Sequence, residues 1–560
     1  MRKAIFFLVI LMGAFYTSKS QQYQWAKRIG NTANDRAHVI KTDASGNVYV
    51  AGVFDGLVDF DPGPGIANFQ SKGWGDIFVA KYTSNGDYVW AFVMGESSTE
   101  DLLDLAIDNE NNIIITGAFS DSIDLDPGSA NATFYGDFLG NTDGFLAKYS
   151  SSGNYIWGFT FGNYNVDYGM DLAINANNDI YLAGYFNETV DFDPGVGNTS
   201  LTGQFDAFIA KYDKNSSLQW VFKIGASGQE YTHGITLDTN GNLCVFGRFQ
   251  QTVDFDPGSG THNLTASSNH DLFIAKYTSS GSYLWAKQLS GPGSKYGRGI
   301  SVDADSNIYI GGSFGQNIDF DPSGNTVLSS STFISPFVAK YNAQGNYIWH
   351  HLFLSTTGGS DKVGNVFYSN NYLYVAGNYN GSLNDTLNGN PVSLPSQGQE
   401  DIFIAKLNAS NGQLVWLGTT GSSDMDIARY IMVSSNNVYI CGAFNQTCDF
   451  NFDNQVTNNL TSDGAGDIYF AKYSIYGVGI ETLSPQAENY SLYPNPNNGN
   501  FNIQSQKQNG IYEILDLTGK VIHTFYVQNY TENIQLELPN GLYLIKEKNN
   551  NITNKFLINK

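Results

Sequence analysis

Five times along this chain, two aspartates flank one large apolar residue just ahead of a proline. The copies are Asp59-Phe60-Asp61-Pro62-Gly63, Asp124-Leu125-Asp126-Pro127-Gly128, Asp191-Phe192-Asp193-Pro194-Gly195, Asp254-Phe255-Asp256-Pro257-Gly258 and Asp319-Phe320-Asp321-Pro322-Ser323. On an extended backbone, residues two apart point to the same side, so the two carboxylates of one copy can share a hard cation. Oxygen ligands of this kind suit calcium, the one cofactor the sequence offers. A second reading needs no ion: the first Asp accepts hydrogen bonds from nearby amides, the apolar residue fills the core, and Asp-Pro-Gly turns the chain. The calcium loop with a third Asp and a distant Glu is missing. The motif is lost at Leu383-Asn384-Asp385-Thr386 and altered at Asp449-Phe450-Asn451-Phe452-Asp453.

Other chemistries leave little trace. The histidines, His38, His233, His262, His270, His350, His351 and His523, share no common setting. No nucleophile elbow, zinc-binding His-Glu-x-x-His helix or phosphate loop stands in its required context. An enzyme would therefore need residues from distant parts of the chain gathered at one place, and catalysis is not expected. Cys244, Cys441 and Cys448 have no metal-knuckle or disulfide-framework spacing and read as buried thiols, with a Cys441–Cys448 bridge as the alternative. A net charge of −23 argues against a nucleic-acid partner, which requires a basic footprint.

The elements that carry these residues are repeated. Trp25, Trp90, Trp157, Trp220, Trp285, Trp349 and Trp416 recur 63 to 67 residues apart, and only Trp74 stands outside the series. A tryptophan at one fixed strand position reads as core between repeats rather than as a sugar-stacking platform. Ala-Lys-Tyr, or Ala-Lys-Leu once, recurs at Ala80, Ala147, Ala210, Ala275, Ala339, Ala405 and Ala471. Each period reads as four strands joined by Asn/Asp/Gly turns, apolar on both faces, as in a sheet packed between like sheets. The 60 glycines and 14% aromatic content suit such an all-β chain. The first element, around Trp25, is a fourth strand without its first three, and the last period lacks its Trp strand. The expected fold is thus a seven-bladed β-propeller over residues 21–478, the N-terminal strand completing the last blade. The loops between blades carry Asp35, Glu100, Asp101, Asp167, Glu230, Asp361 and Asp424. They are expected to share one face with the Asp-x-Asp-Pro-Gly connections, making that face acidic and ligand-facing.

Asp43-Ala44-Ser45-Gly46-Asn47-Val48-Tyr49-Val50-Ala51-Gly52, followed by Asp76-Ile77-Phe78-Val79-Ala80-Lys81, resembles the bacterial β-propeller repeat family. The resemblance implies a fold and no particular reaction.

The two ends point to export. Arg2 and Lys3, the apolar run Ala4 to Tyr16 and the small residues Ser18 and Ser20 have the order of a signal peptide covering residues 1–20. No other stretch is long enough to span a bilayer as a helix. After a linker at 479–488, residues 489–560 read as a small β-sandwich. Tyr493-Pro494-Asn495-Pro496, Leu515-Asp516-Leu517-Thr518-Gly519-Lys520 and Asn540-Gly541-Leu542-Tyr543 resemble the C-terminal sorting domain of the type IX secretion system. That resemblance implies a partner, the type IX machinery, and a destination outside a diderm bacterium, released or held at its outer surface. Asp121-Ser122-Ile123 and Asp385-Thr386-Leu387 are similar to the O-glycosylation sequon of such bacteria. The leading expectation is a secreted or surface binding scaffold for an extracellular glycan, protein or cation. The alternatives are an extracellular enzyme acting on a polysaccharide or another polymer, marked by polar residues unique to single blades at one channel mouth, and a structural component of an adhesive surface layer.

Overall fold

The computed structural model describes residues 22–136, 141–357, 359, 361–387, 389–452, 456–475, 490–493, 498–505, 510–516, 520–548 and 553–558. The leader at 1–20 and the linker at 479–488 lie outside the described residues. The chain divides into two compact units, residues 1–477 and 478–560, and among the described residues no helix is long and apolar enough to cross a membrane.

In the larger unit, seven antiparallel four-stranded sheets follow one another. Their first strands are Arg36–Thr42, Glu100–Ile107, Tyr168–Ile174, Tyr231–Leu237, Lys295–Val302, Lys362–Ser369 and Ile427–Ser434. Each lies against the first strands of its two neighbours, and Ile427–Ser434 lies against Arg36–Thr42, so the sheets close around an axis. The fourth strand of the last sheet is Gln22–Ile29, paired antiparallel with Asp467–Ser474.

Burial on both faces explains the doubly apolar strands. One cluster joins Val39, Tyr49, Val79 and Phe92 of one sheet to Leu105, Ile115, Phe145 and Tyr149 of the next. Each such side chain contributes roughly 1.5–3 kcal/mol on leaving water. The repeated Lys and Trp add directional bonds between sheets. Trp157 Nε1 and Lys148 Nζ both donate to the carbonyl of Lys214, and Trp285 and Lys276 treat Ala343 in the same way. Trp349 and Lys340 do so with Ala409. Trp157, Trp285 and Trp349, with Trp25 donating to Ser84 O, thus fasten one sheet to the next. Five of the repeated lysines, Lys81, Lys148, Lys211, Lys276 and Lys340, also pair with an aspartate of the first hairpin, as in Lys148–Asp108 at 2.8 Å and Lys276–Asp238 at 2.7 Å.

Between second and third strands, each sheet carries a hairpin that lies back along its outer side. Tyr82, at the far end of its third strand, donates its hydroxyl to Phe60 O at 3.1 Å, and Tyr149, Tyr212, Tyr277 and Tyr341 repeat the bond. The hairpin therefore shields the outermost strand, which would otherwise offer an unpaired edge.

The smaller unit has one sheet of Tyr490–Tyr493, Asn500–Ser505 and Thr531–Gln535. A second holds Val521–Val527, Gly510–Leu515, Gly541–Glu547 and Thr553–Ile558. Phe501 and Ile503 of the first share a core with Tyr512, Ile514 and Ile545 of the second.

Candidate functional site

The paired aspartates lie in the outer hairpins, away from the axis, and each copy keeps its acids to itself. Asp59 Oδ1 accepts from the amides of Asp61 at 3.0 Å and Ala67 at 2.7 Å, while Asp61 Oδ1 accepts from Gly63 N at 2.8 Å. Asp124 and Asp126, Asp191 and Asp193, Asp254 and Asp256, and Asp319 and Asp321 repeat this pattern. Asp449 also holds two amides in the altered copy. Phe60, Leu125, Phe192, Phe255 and Phe320 are buried between the acids. Strand pairing stops at the first aspartate, Asp59 being the last residue of Leu57–Asp59, so the two-residue alternation does not carry through to the second. Among the described residues, no group of three or more His, Cys, Asp or Glu is arranged to hold a metal ion. Chelator is accordingly expected to leave the thermal midpoint of the purified protein within about 1 °C of its untreated value. A larger fall in a thermal scan would establish structural calcium.

The acids between sheets depart from the expectation of an acidic face. Asp35, Glu100, Asp167, Glu230 and Asp361 are buried, not displayed. Their carboxyls gather loop amides: Asp35 takes those of Asn31 and Asp55, and Asp167 those of Asn163 and Asn187. Burial pushes Asp35 and Asp167 up to about 7 and Glu100 to about 8, with the carboxylates of Asp467, Asp143 and Asp76 on the preceding sheets adding to the rise. Burial likewise lifts Glu230 to about 7 and Asp361 to about 6. One sheet differs. Lys295 occupies this place, and its ammonium lies 3.1 Å from Asp271 and donates to the carbonyls of Gly291 and Gly293.

The unassigned chemistry collects on the axis. All seven first strands carry a bulge at the same point, and the extra residues are His38, Leu103, Met170, His233, Arg298, Gly364 and Arg429. A bulge turns its extra side chain out of the ladder, here toward the channel. All of these residues except Gly364 present a side chain of different kind or setting to a cavity of about 870 Å³, whose lining also includes Arg36, Lys41, Trp74, Asp101, Tyr168 and Lys362. The whole chain has six arginines, and Arg36, Arg298 and Arg429 line this cavity. A fourth, Arg248, lies 4.4 Å from the Tyr231 ring centre.

These cations oppose one another. Arg298 is exposed to the channel yet surrounded by protein; desolvation, then Arg429 and Arg248, bring it down to about 10. Arg429 is lowered by desolvation and Arg36, though Asp101 and Glu400 act the other way. Burial, followed by Arg248 and Arg298, keeps His233 well below the ordinary imidazole value. An incoming anion would relieve this mutual repulsion. Farther along the channel lies a paired polar group. Lys41 donates to Tyr430 Oη at 2.5 Å and lies 3.7 Å from Asp104. Burial works against its ammonium, but Asp104 and Tyr430 outweigh this and raise its pKa. Burial, followed by the neighbouring Asp104 carboxylate, pushes Asp171 well above the ordinary carboxylate range. His38 Nδ1 approaches Asp101 at 3.2 Å.

Sequence reading missed this group because its members stand in different repeats and match no motif. The one available signal was the scarcity of arginine, with Arg36, Arg298 and Arg429 all falling in first strands. The three cysteines are free and buried.

Comparison with known proteins identifies both ends of the architecture. Residues 284–313 match the family described as a beta-propeller repeat, and residues 491–559 the secretion system C-terminal sorting domain. An uncharacterized WD repeat-containing protein of Acanthamoeba polyphaga mimivirus is 24% identical over 94% of this chain and 44% of its own length. The regulatory protein FlaEY of Caulobacter vibrioides is 23% identical over 76% of this chain and 45% of its own. The chain thus spans less than half the length of these curated relatives. Among solved structures, the Neurospora crassa Pan2 WD40 domain covers 78% of this chain and is itself covered to 88%, at 9% identity and a TM-score of 0.37. An ulvan lyase structure covers 80% and is covered to 96%, at 10% identity and a TM-score of 0.41.

Proposed function

From the premise that this β-propeller-repeat protein is carried to the cell surface or the extracellular space by its type IX sorting domain, we propose that it works there as a binding protein whose ligand enters the axial channel and carries negative charge. In this reading residues 22–475 form a seven-bladed ring and the sorting domain is a two-sheet sandwich. The observation that carries it is the bulge layer: every blade bulges at one place, yet the channel receives Arg298, Arg429, His233 and His38 rather than a repeated residue. Packing would be served by one residue used seven times. A chain of net charge −23 that gathers its scarce arginines around one cavity is suited to an anion, since guanidinium pairs well with carboxylate, sulfate and phosphate.

The test is calorimetric titration of small carboxylates and sulfate into the purified protein at low and high salt. Binding is expected to weaken with salt and to fall at least about tenfold in Arg298→Ala and Arg429→Ala, a loss of roughly 1.4 kcal/mol or more each. Undiminished binding in both variants would dismiss the channel as the site.

A second reading, an enzyme on an extracellular polymer, draws on the Asp104–Asp171 pair beneath the cationic layer. With Asp171 raised by burial beside Asp104, the pair brings two carboxyls together in one site, the arrangement that acid–base chemistry uses. Turnover of a polymer by the wild type that is lost in Asp171→Asn, with binding retained, would favour this reading.

A further inference from the structure

Charge alone does not distinguish an inorganic anion from an acidic peptide or an acidic sugar, but the aromatic residues at the channel mouth do. Two residues ahead of each bulge, the first strands carry Arg36, Asp101, Tyr168, Tyr231, Tyr296, Lys362 and Ile427. Three consecutive blades therefore supply tyrosine at this level, while their neighbours on either side supply charged residues. Tyr168 stacks on Tyr185 at 5.2 Å, and Tyr185 meets Tyr231 edge-on at 4.6 Å. Tyr296 is 41% exposed, with Arg248 6.0 Å from its ring centre.

Trp74 lines the same cavity as Tyr168. The one tryptophan outside the repeat series is 76% exposed and belongs to the cavity lining. Its backbone is tied to the neighbouring loop by a bond from Trp74 N to Ser98 O at 3.0 Å. The seven repeat tryptophans fasten or fill the ring, whereas this one is spent on solvent at the mouth. A large exposed apolar ring beside a cavity marks a contact surface.

We propose that the ligand is an acidic saccharide. This rests on the anionic-ligand reading above and adds the sugar. The apolar C–H faces of the pyranose rings stack on Trp74 and Tyr296, and a carboxylate or sulfate on the sugar reaches Arg298 and Arg429 one level deeper. A flat, hydroxyl-rimmed ring with a single oxyanion satisfies both halves of the mouth. An inorganic ion uses only the guanidinium groups and leaves Trp74 and Tyr296 idle.

The experiment presents the purified full chain to an array of uronate-bearing, sulfated and neutral oligosaccharides, with calorimetry of the best binder alongside sodium sulfate and acetate. Retention is expected on acidic oligosaccharides only. Trp74→Ala and Tyr296→Ala are each expected to weaken it at least fivefold without altering the affinity for sulfate. Because Trp74 is exposed, its replacement leaves the fold intact, and an unchanged thermal midpoint checks this. If sulfate and acetate bind in an Arg298-dependent manner while the array stays empty, the saccharide is refuted and the anion site stands. If neither binds, both readings fall. Equal retention of neutral and acidic sugars would overturn the assignment to acidic saccharides, as would Trp74→Ala binding like the wild type.

Discussion

Raising the pH from about 6.5 to about 8.5 is expected to remove about 3 kcal/mol of folding stability from the propeller, at 1.36 kcal/mol per unit of differential proton affinity. The cause is the set of carboxyls buried between blades. Asp35, Asp167 and Glu230 titrate at about 7 and Glu100 at about 8 in the folded ring. In the unfolded chain such groups titrate near 4, so the folded state binds more protons throughout the interval. Their stabilisation is complete below the unfolded value and is lost as the pH climbs through the folded one. His233, His270 and His350 are lowered in the fold, chiefly by burial, and in the unfolded chain they shed their remaining half-proton above about 6.5, which returns about 1 kcal/mol of the roughly 4 kcal/mol that the carboxyls lose. Urea unfolding at the two pH values measures the difference. Glu100→Gln, which stays neutral, should remove the largest single share, roughly 2 kcal/mol of the pH dependence. A stability that is flat or rising over this interval would contradict the buried-acid account.

Lys295→Met should cost about 3–5 kcal/mol, the ordinary consequence of leaving one member of a buried ion pair alone. Lys295 and Asp271 are both fully buried, and the ammonium also satisfies the carbonyls of Gly291 and Gly293. The other six blades place a carboxyl here that collects amides, as Asp426 does from Ser422 and Asn445. This loop instead presents carbonyls, so Lys295→Asp is expected to be at least as harmful as Lys295→Met. Restoration of the residue that other blades favour would then be worse than a neutral replacement. If Lys295→Asp proved neutral, the loop would have to reverse its polarity, and the assignment of Lys295 as a fixed counter-charge would fail.

What could be read from the sequence was what the repeat states many times. Trp157 and Lys148 recur with their period because each blade must fasten to the next in the same way, and copies of one solution are visible as copies. The same logic exposed the tyrosine of Ala-Lys-Tyr, which holds its own hairpin in six blades. Two local features are not stated by the repeat in this way. Pairing stops at Asp59, and one oxygen each of Asp59 and Asp61 accepts from backbone amides. Asp35 and Glu100 read as loop acids of an exposed face, but Asp35 directly precedes a first strand and Glu100 begins one, and both are buried there.

The channel was illegible for the opposite reason. Arg36, Arg298 and Arg429 are far apart in sequence, and only the closed ring brings them near one another. Their bulges leave no composition signal, since the extra residue is His in one blade and Gly in another. Trp74 was visible as an exception to a period, and an exception gains meaning only when its place is known.

The pairing of Gln22–Ile29 with Asp467–Ser474 sets the order in which the molecule can be built. The last blade cannot be completed by neighbours in sequence; it waits for a strand some 440 residues away, the most distant contact in the ring. Forming such a contact incurs its entropy before any compensating packing, so closure should be the slow, late step of folding. Until then the third strand Asp467–Ser474 has a bare edge and the chain behaves as an open arc. Any factor that keeps Gln22–Ile29 from docking therefore holds the ring open, and its docking is the event that completes the channel.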